Sequence, residues 1–117
     1  MILRGGANIY PAEIEAAVTE HPDVRSCVVV GLLDPEFGQR VHAILELDGS
    51  IDAQAVADGM AAFLSDRLSR YKHPESFEAV AVGLRDDSGK VRRTLLRDER
   101  AGWLKENRDF RIRPAHG

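Results

Sequence analysis

The sequence has a single cysteine, no apolar run long enough to enter a membrane, no excess of either charge and no metal-ligand spacing among its histidines. Each absence excludes a class of protein. Cys27 alone cannot form an internal disulfide, and its place in Cys27-Val28-Val29-Val30 predicts a buried structural thiol rather than a nucleophile. A reducing, cytoplasmic compartment fits that usage. The N-terminus lacks the apolar core of a signal peptide, and no stretch approaches a transmembrane span, so a secreted or membrane-embedded chain is not expected. A formal net charge of −3 gives no drive toward nucleic acid or an anionic membrane. The four histidines are scattered, which predicts no metal site and makes His42 a partly exposed strand histidine. Internal repeats and low-complexity segments are also missing.

What remains is 117 residues with 44% hydrophobic and 30% charged content, the make-up of one ordinary globular domain. A chain of that length buries about 65% of its unfolded surface. Ile14, Ala17 and Val18 give residues 11–21 one helical apolar face, which Pro22 closes. Residues 24–32 are β-branched and apolar on both sides, the pattern of a strand covered twice. Asp34-Pro35 breaks it, and Phe37-Gly38 completes a turn. Residues 40–47 alternate, with Val41, Ala43, Leu45 and Leu47 on one face, so the two strands are expected to form an antiparallel hairpin. Asp52 is the expected N-cap of a long helix over 53–70, striped by Val56, Met60, Phe63, Leu64 and Leu68. Gly59 interrupts that helix at a cost of about 1 kcal/mol relative to Ala. A third strand over 76–82 and a last helix over 91–105 complete an α+β domain of order α-β-β-α-β-α. The tail beyond, 106–117, is basic and is expected to fray.

Two spots carry the candidate chemistry. The first is Leu3-Arg4-Gly5-Gly6-Ala7-Asn8-Ile9-Tyr10-Pro11-Ala12-Glu13-Ile14-Glu15. Gly5 and Gly6 leave the backbone free to enter positive φ and approach another surface closely. Asn8 also tolerates left-handed geometry, Pro11 suits a first helical position, and Glu13 and Glu15 suit the positive end of a helix. The second is Asp86-Asp87-Ser88-Gly89-Lys90-Val91. It is not a phosphate-binding P-loop, because Gly83 lies one residue too far from Gly89-Lys90 and Val91 replaces the required Ser or Thr. Asp86 and Asp87 would also repel phosphate.

Gly6 to Glu15 resembles the G-x-N-I-x-P-x-E-I-E segment that opens the C-terminal domain of acyl-adenylate-forming enzymes, and looks most like the acyl- and aryl-CoA ligases. Val30-Gly31 through Asp34-Pro35, with Gly38, Arg40 and Val41, resembles the family's G-x-x-D…G-x-x-V hairpin. Tyr71-Lys72-His73-Pro74 resembles its Y-K-x-P, and Ser88-Gly89-Lys90-Val91 with Arg93, Leu96 and Arg97 its closing lysine motif. Departures stand at Ala7, Leu84 and Asp86, where larger or acidic residues, Pro and Thr are common. The resemblance covers residues 2–97. It implies a lid domain, 1–105, cut from a ligase whose large N-terminal domain binds most of the ATP, its Mg and the carboxylic acid, with Met1 just past the hinge. It further implies that Lys90 serves adenylation, while Gly5, Gly6 and Ala7 line the path of the CoA pantetheine. The carboxylic acid, and CoA against carrier-protein pantetheine, stay open. A stand-alone binding or regulatory module that kept the fold and lost catalysis is the alternative, favoured by those departures.

Overall fold

A computed structural model describes residues 1–35 and 38–115. In chain order the elements are β1 (Ile2–Arg4), β2 (Ala7–Ile9), α1 (Pro11–Val18), β3 (Val24–Asp34), β4 (Gly38–Leu47), α2 (Ala53–Leu64), a 3₁₀ turn at Arg70–Lys72, β5 (Ser76–Val80) and α3 (Arg93–Lys105). The domain is α+β, as expected. Strands β1 and β2 form a two-stranded antiparallel sheet. A second sheet has the order β3-β4-β5. Its β3 and β4 pair antiparallel from Val24↔Leu47 to Asp34↔Gly38, the expected hairpin. Strand β5 joins β4 in parallel, and the crossover that a parallel neighbour requires is supplied by α2.

Both faces of this sheet are covered, which explains the unbroken apolar run in β3. On one face Cys27, Val29, Val41, Ala43 and Leu45 pack with Ile14 and Val18 of α1, Met60 and Leu64 of α2, and Ile2 and Ile9 of the small sheet. On the other, Val28, Val30, Leu32 and Ile44 meet Leu84, Val91, Leu96, Leu104 and Phe110. Burial pushes the Cys27 thiol far above its ordinary value, consistent with a structural role.

Element ends differ from expectation for local reasons. Helix α1 stops at Val18 because the Thr19 hydroxyl donates to the Glu15 and Ala16 carbonyls, 2.8 and 3.2 Å away, before Pro22 is reached. Asp52 caps α2 as expected, accepting from the Gln54 and Ala55 amides. That helix ends at Leu64 rather than at Arg70, with the Ser65 hydroxyl donating to the Ala62 carbonyl at 2.8 Å. Leu68 nevertheless stays buried. A Cβ on Gly59 would meet nothing within 4 Å, so close packing does not account for it. Asp34 does not break β3 but pairs with Gly38, and Phe37 of the expected turn lies outside the described residues. Helix α3 starts at Arg93, two residues late, because Val91 is taken into a bridge with Arg85.

Two expectations are overturned. His42 is completely buried, because β4 has α3 and Phe110 over the face that periodicity assigned to solvent. The segment expected to fray is docked as far as Ala115. Ile112 exchanges two backbone hydrogen bonds with Phe77, at 2.7 and 2.8 Å, and extends the sheet beyond β5. Phe110 packs edge-on against His42 and Trp103. The Arg113 carbonyl accepts from the Gln54 side chain, and the Ala115 amide donates to Asp58.

Candidate functional site

Gly5 and Gly6 are the two-residue loop between β1 and β2, with Arg4 paired to Ala7 across it. Their φ values are +55° and +87°, the pair of positive angles that a type I′ hairpin turn demands. Asn8 does not share this role: it lies in β2 opposite Leu3. A Cβ on Gly6 would meet nothing within 4 Å, so the turn stands clear of the domain and its glycine is required by conformation. The hairpin is held from behind. Ile2 and Ile9 are in the core, and the Leu3 amide donates to Gln39 Oε1 at 2.9 Å. Arg4 pairs with Glu75, whose other oxygen accepts from Arg40 Nη1 at 2.7 Å, and Arg40 also pairs with Asp34. Neither Arg4 nor Glu75 stood out in the sequence, since nothing local links positions 71 residues apart.

Lys90 ends a second tight turn. The Asp86 carboxylate accepts from the Ser88 hydroxyl at 2.6 Å and from the Ser88 and Lys90 amides at 2.9 Å. These bonds, led by the Ser88 hydroxyl, hold its carboxyl below the usual carboxylate range. Gly89 has φ +83° and donates its amide to the Asp86 carbonyl, and Arg85 bridges Val91 to close the stem. Asp86, standing where Thr is common in the resembled motif, thus acts as the staple of the turn. Lys90 itself is exposed, and its ammonium has no partner among the described residues.

The other motif residues are cross-links. Glu13 accepts from Lys72 Nζ at 2.6 Å, joining α1 to the 3₁₀ turn. Glu15, rather than facing its own helix terminus, accepts from Arg93 Nη2 and from the Val29 amide. The structure does not bring Lys90 and Gly5-Gly6 together. Arg85 Nε donates to the Ser26 hydroxyl at the start of β3, whereas the glycine hairpin is tied to Gln39, which pairs with Leu33 near its end. Seven residues of strand separate these anchors, roughly 23 Å.

Burial also assembled a network that periodicity did not foresee. His42 lies 2.8 Å from Ser76 Oγ through Nδ1 and 3.0 Å from Glu78 Oε1 through Nε2. Arg100 Nε and Nη2 donate to the two Glu78 oxygens at 2.8 and 2.6 Å. Burial pushes the Glu78 carboxyl up, but hydrogen bonds from His42 and Arg100 outweigh it and hold the group below the usual range. Burial likewise pushes His42 down against the opposing bond to Glu78, so the ring is neutral near pH 7. With Glu78 ionised, Nε2 carries the proton and Nδ1 accepts from Ser76. A Ser–His–Glu series this deeply buried has no access to substrate; it is core.

Neither candidate spot encloses a ligand. The cleft between β1, β3 and α3, lined by Ile2, Gly31, Gln39, Arg93 and Arg97 among others, holds about 210 Å³. Ordinary ligand pockets begin near ~300 Å³. The depression beside Arg92 and Leu95 is open surface. Among the described residues no group of three or more His, Cys, Asp or Glu could hold a metal, and no helix is long and apolar enough to cross a membrane.

Comparison with known proteins adds a family. The model of the AMP-binding enzyme C-terminal domain matches residues 13–90. The chain is 40% identical over 104 residues to the 2-succinylbenzoate–CoA ligase of Bacillus velezensis, covering 89% of this chain and 20% of that protein. Among solved structures, the acyl-CoA synthetase of Brucella canis superposes with a TM-score of 0.78 at 29% identity, over 92% of this chain and 19% of that one. The o-succinylbenzoate CoA synthetase of Bacillus subtilis, in complex with its acyl-adenylate intermediate, superposes with a TM-score of 0.68 at 36% identity, over 83% and 19%. The chain spans about a fifth of the length of these relatives.

Proposed function

Since this chain belongs to the AMP-binding enzyme C-terminal domain family, we propose that it is the lid domain of an acyl- or aryl-CoA ligase in the cytoplasm. That ligase activates a carboxylic acid with ATP to an acyl-adenylate and transfers the acyl group to CoA. The observation that carries this reading is an exposed lysine, without a partner among the described residues, on a stapled turn at one end of β3 and an open glycine hairpin at the other.

The chemistry needs each part at a different moment. Joining a carboxylate to the α-phosphate of ATP brings two anions together while charge grows on the phosphoryl oxygens. An exposed ammonium on a long stem can bind and stabilise that charge. Among the described residues no acidic group pairs with the Lys90 ammonium, and the Asp86 carboxylate is occupied with backbone and hydroxyl donors. Mg accompanying ATP would neutralise phosphate charge when bound; among the described residues no acidic cluster could hold it, so a large domain of the ligase would do so. Transfer to CoA instead needs a narrow approach for the pantetheine arm, and a backbone turn without side chains at Gly5-Gly6, flanked by Ala7, can lie along such a channel. Their anchors at opposite ends of β3 support a lid that presents one spot at a time and rotates between half-reactions.

Single-turnover assays on the full-length enzyme test this, one per half-reaction. Lys90→Ala should lower adenylate formation on the order of 100-fold or more, while thioester formation from a synthetic acyl-adenylate survives. Gly6→Trp should do the reverse. Gly6→Asn, whose side chain tolerates positive φ, is the control for turn geometry. Equal damage to both half-reactions by Lys90→Ala and Gly6→Trp would defeat the assignment.

A further inference from the structure

We propose that Glu15 is a positioning residue for Lys90, an inference that rests on the ligase reading above. Glu15 lies in α1, at the end of the first candidate stretch and far from Lys90 in sequence, and its carboxylate is largely buried. Both of its oxygens accept from Arg93 Nη2, at 2.7 and 2.8 Å, and Oε2 also accepts from the Val29 amide on β3 at 2.8 Å. Arg93 is the first residue of α3 and follows Lys90 by three positions. One carboxylate therefore ties the helix that carries the lysine turn both to α1 and to the sheet.

The opposite stem has a matching tether. Arg85 Nε donates to the Ser26 hydroxyl at 3.1 Å, and its Nη1 reaches the Gly89 carbonyl at 3.3 Å. Both stems are thus fastened to β3, at Ser26 and at Val29. These points are three residues, or about 10 Å, apart along the strand. Asp86 sets the shape of the turn, and the two tethers set where it stands relative to the sheet. The charged bonds to Glu15 are of the stronger kind, since both partners are ionised. The glycine hairpin has anchors of its own in Arg4, Glu75, Arg40 and Gln39.

That separation makes the role testable against simple stabilisation. A misplacement of about 1 Å in a catalytic group can cost ~100-fold in rate. Glu15→Gln keeps an acceptor for the Val29 amide and removes the charge that holds Arg93. In the full-length enzyme it should lower the rate of adenylate formation about tenfold or more, with the KM for ATP little changed. Thioester formation from the synthetic acyl-adenylate should stay within about twofold. Arg93→Gln should match it, and the double variant should be no worse than either single one, because both break one link. In the 117-residue chain, amide exchange at Gly89 and Lys90 should speed up in Glu15→Gln while Ile2 and Ile9 are unchanged. Unchanged adenylation, or an equal fall in both half-reactions, overturns the positioning role. Unchanged exchange at Gly89 and Lys90 overturns the tether itself. A wild-type enzyme that makes no adenylate overturns the ligase reading, and exchange in the shorter chain still decides the tether.

Discussion

His42 shows how a single residue responds to what covers it. Its ring is buried neutral between Ser76 and Glu78, with Arg100 and Arg111 opposing any added positive charge. Because burial depresses its folded value, the unfolded chain binds the proton first. Its stabilising contribution is complete above the ordinary histidine value near ~6.5 and is lost as pH falls from there through the folded value. Glu78, also depressed in the folded state, adds a second loss below the ordinary carboxylate range. Urea unfolding should therefore show stability falling between pH 7 and pH 5. His42→Gln should flatten that slope; a wild-type profile level across the window would mean the ring is not held neutral.

At the scale of elements, the C-terminal segment is the clearest case of a docked strap. It covers His42 with Phe110 and gives β5 an outer neighbour through Ile112. Deleting residues 106–117 leaves the β5 edge unpaired at Phe77 and removes the Phe110 ring from His42. Removal of a packed Phe alone costs up to ~3–5 kcal/mol. Truncation after Lys105 should thus lower the melting midpoint by roughly 10 °C or more, and Phe110→Ala should reproduce much of that fall. A shift of only a degree or two would mean that the strap adds no stability. The glycine hairpin is an element of the opposite kind, held at its strands and open at its tip.

For the whole molecule, one sheet has both faces covered, and among the described residues neither of the two clefts encloses a nucleotide. The 117-residue chain should give a cooperative melt by circular dichroism and no ATP–pyrophosphate exchange. Exchange from the purified chain would refute the lid reading, because a lid without its large domain has no bound substrate to act on.

Sequence alone determined what short-range rules control. The apolar stripe of α1, the Asp52 cap and the β3–β4 hairpin follow from side-chain period and turn chemistry, and the structure contains all three. Lys90 and Gly5-Gly6 were also legible as unusual spots, through local glycine and charge. Tertiary structure alone decided the parallel pairing of β5, the burial of His42, the docking of Ile112, and the partners of Glu15 and Glu75. Each of these depends on residues well separated in the chain, from 14 to 78 positions for the side-chain links among them. Alternation along β4 shows that two faces exist. Only the packing of α3 and the strap decides that both are dry.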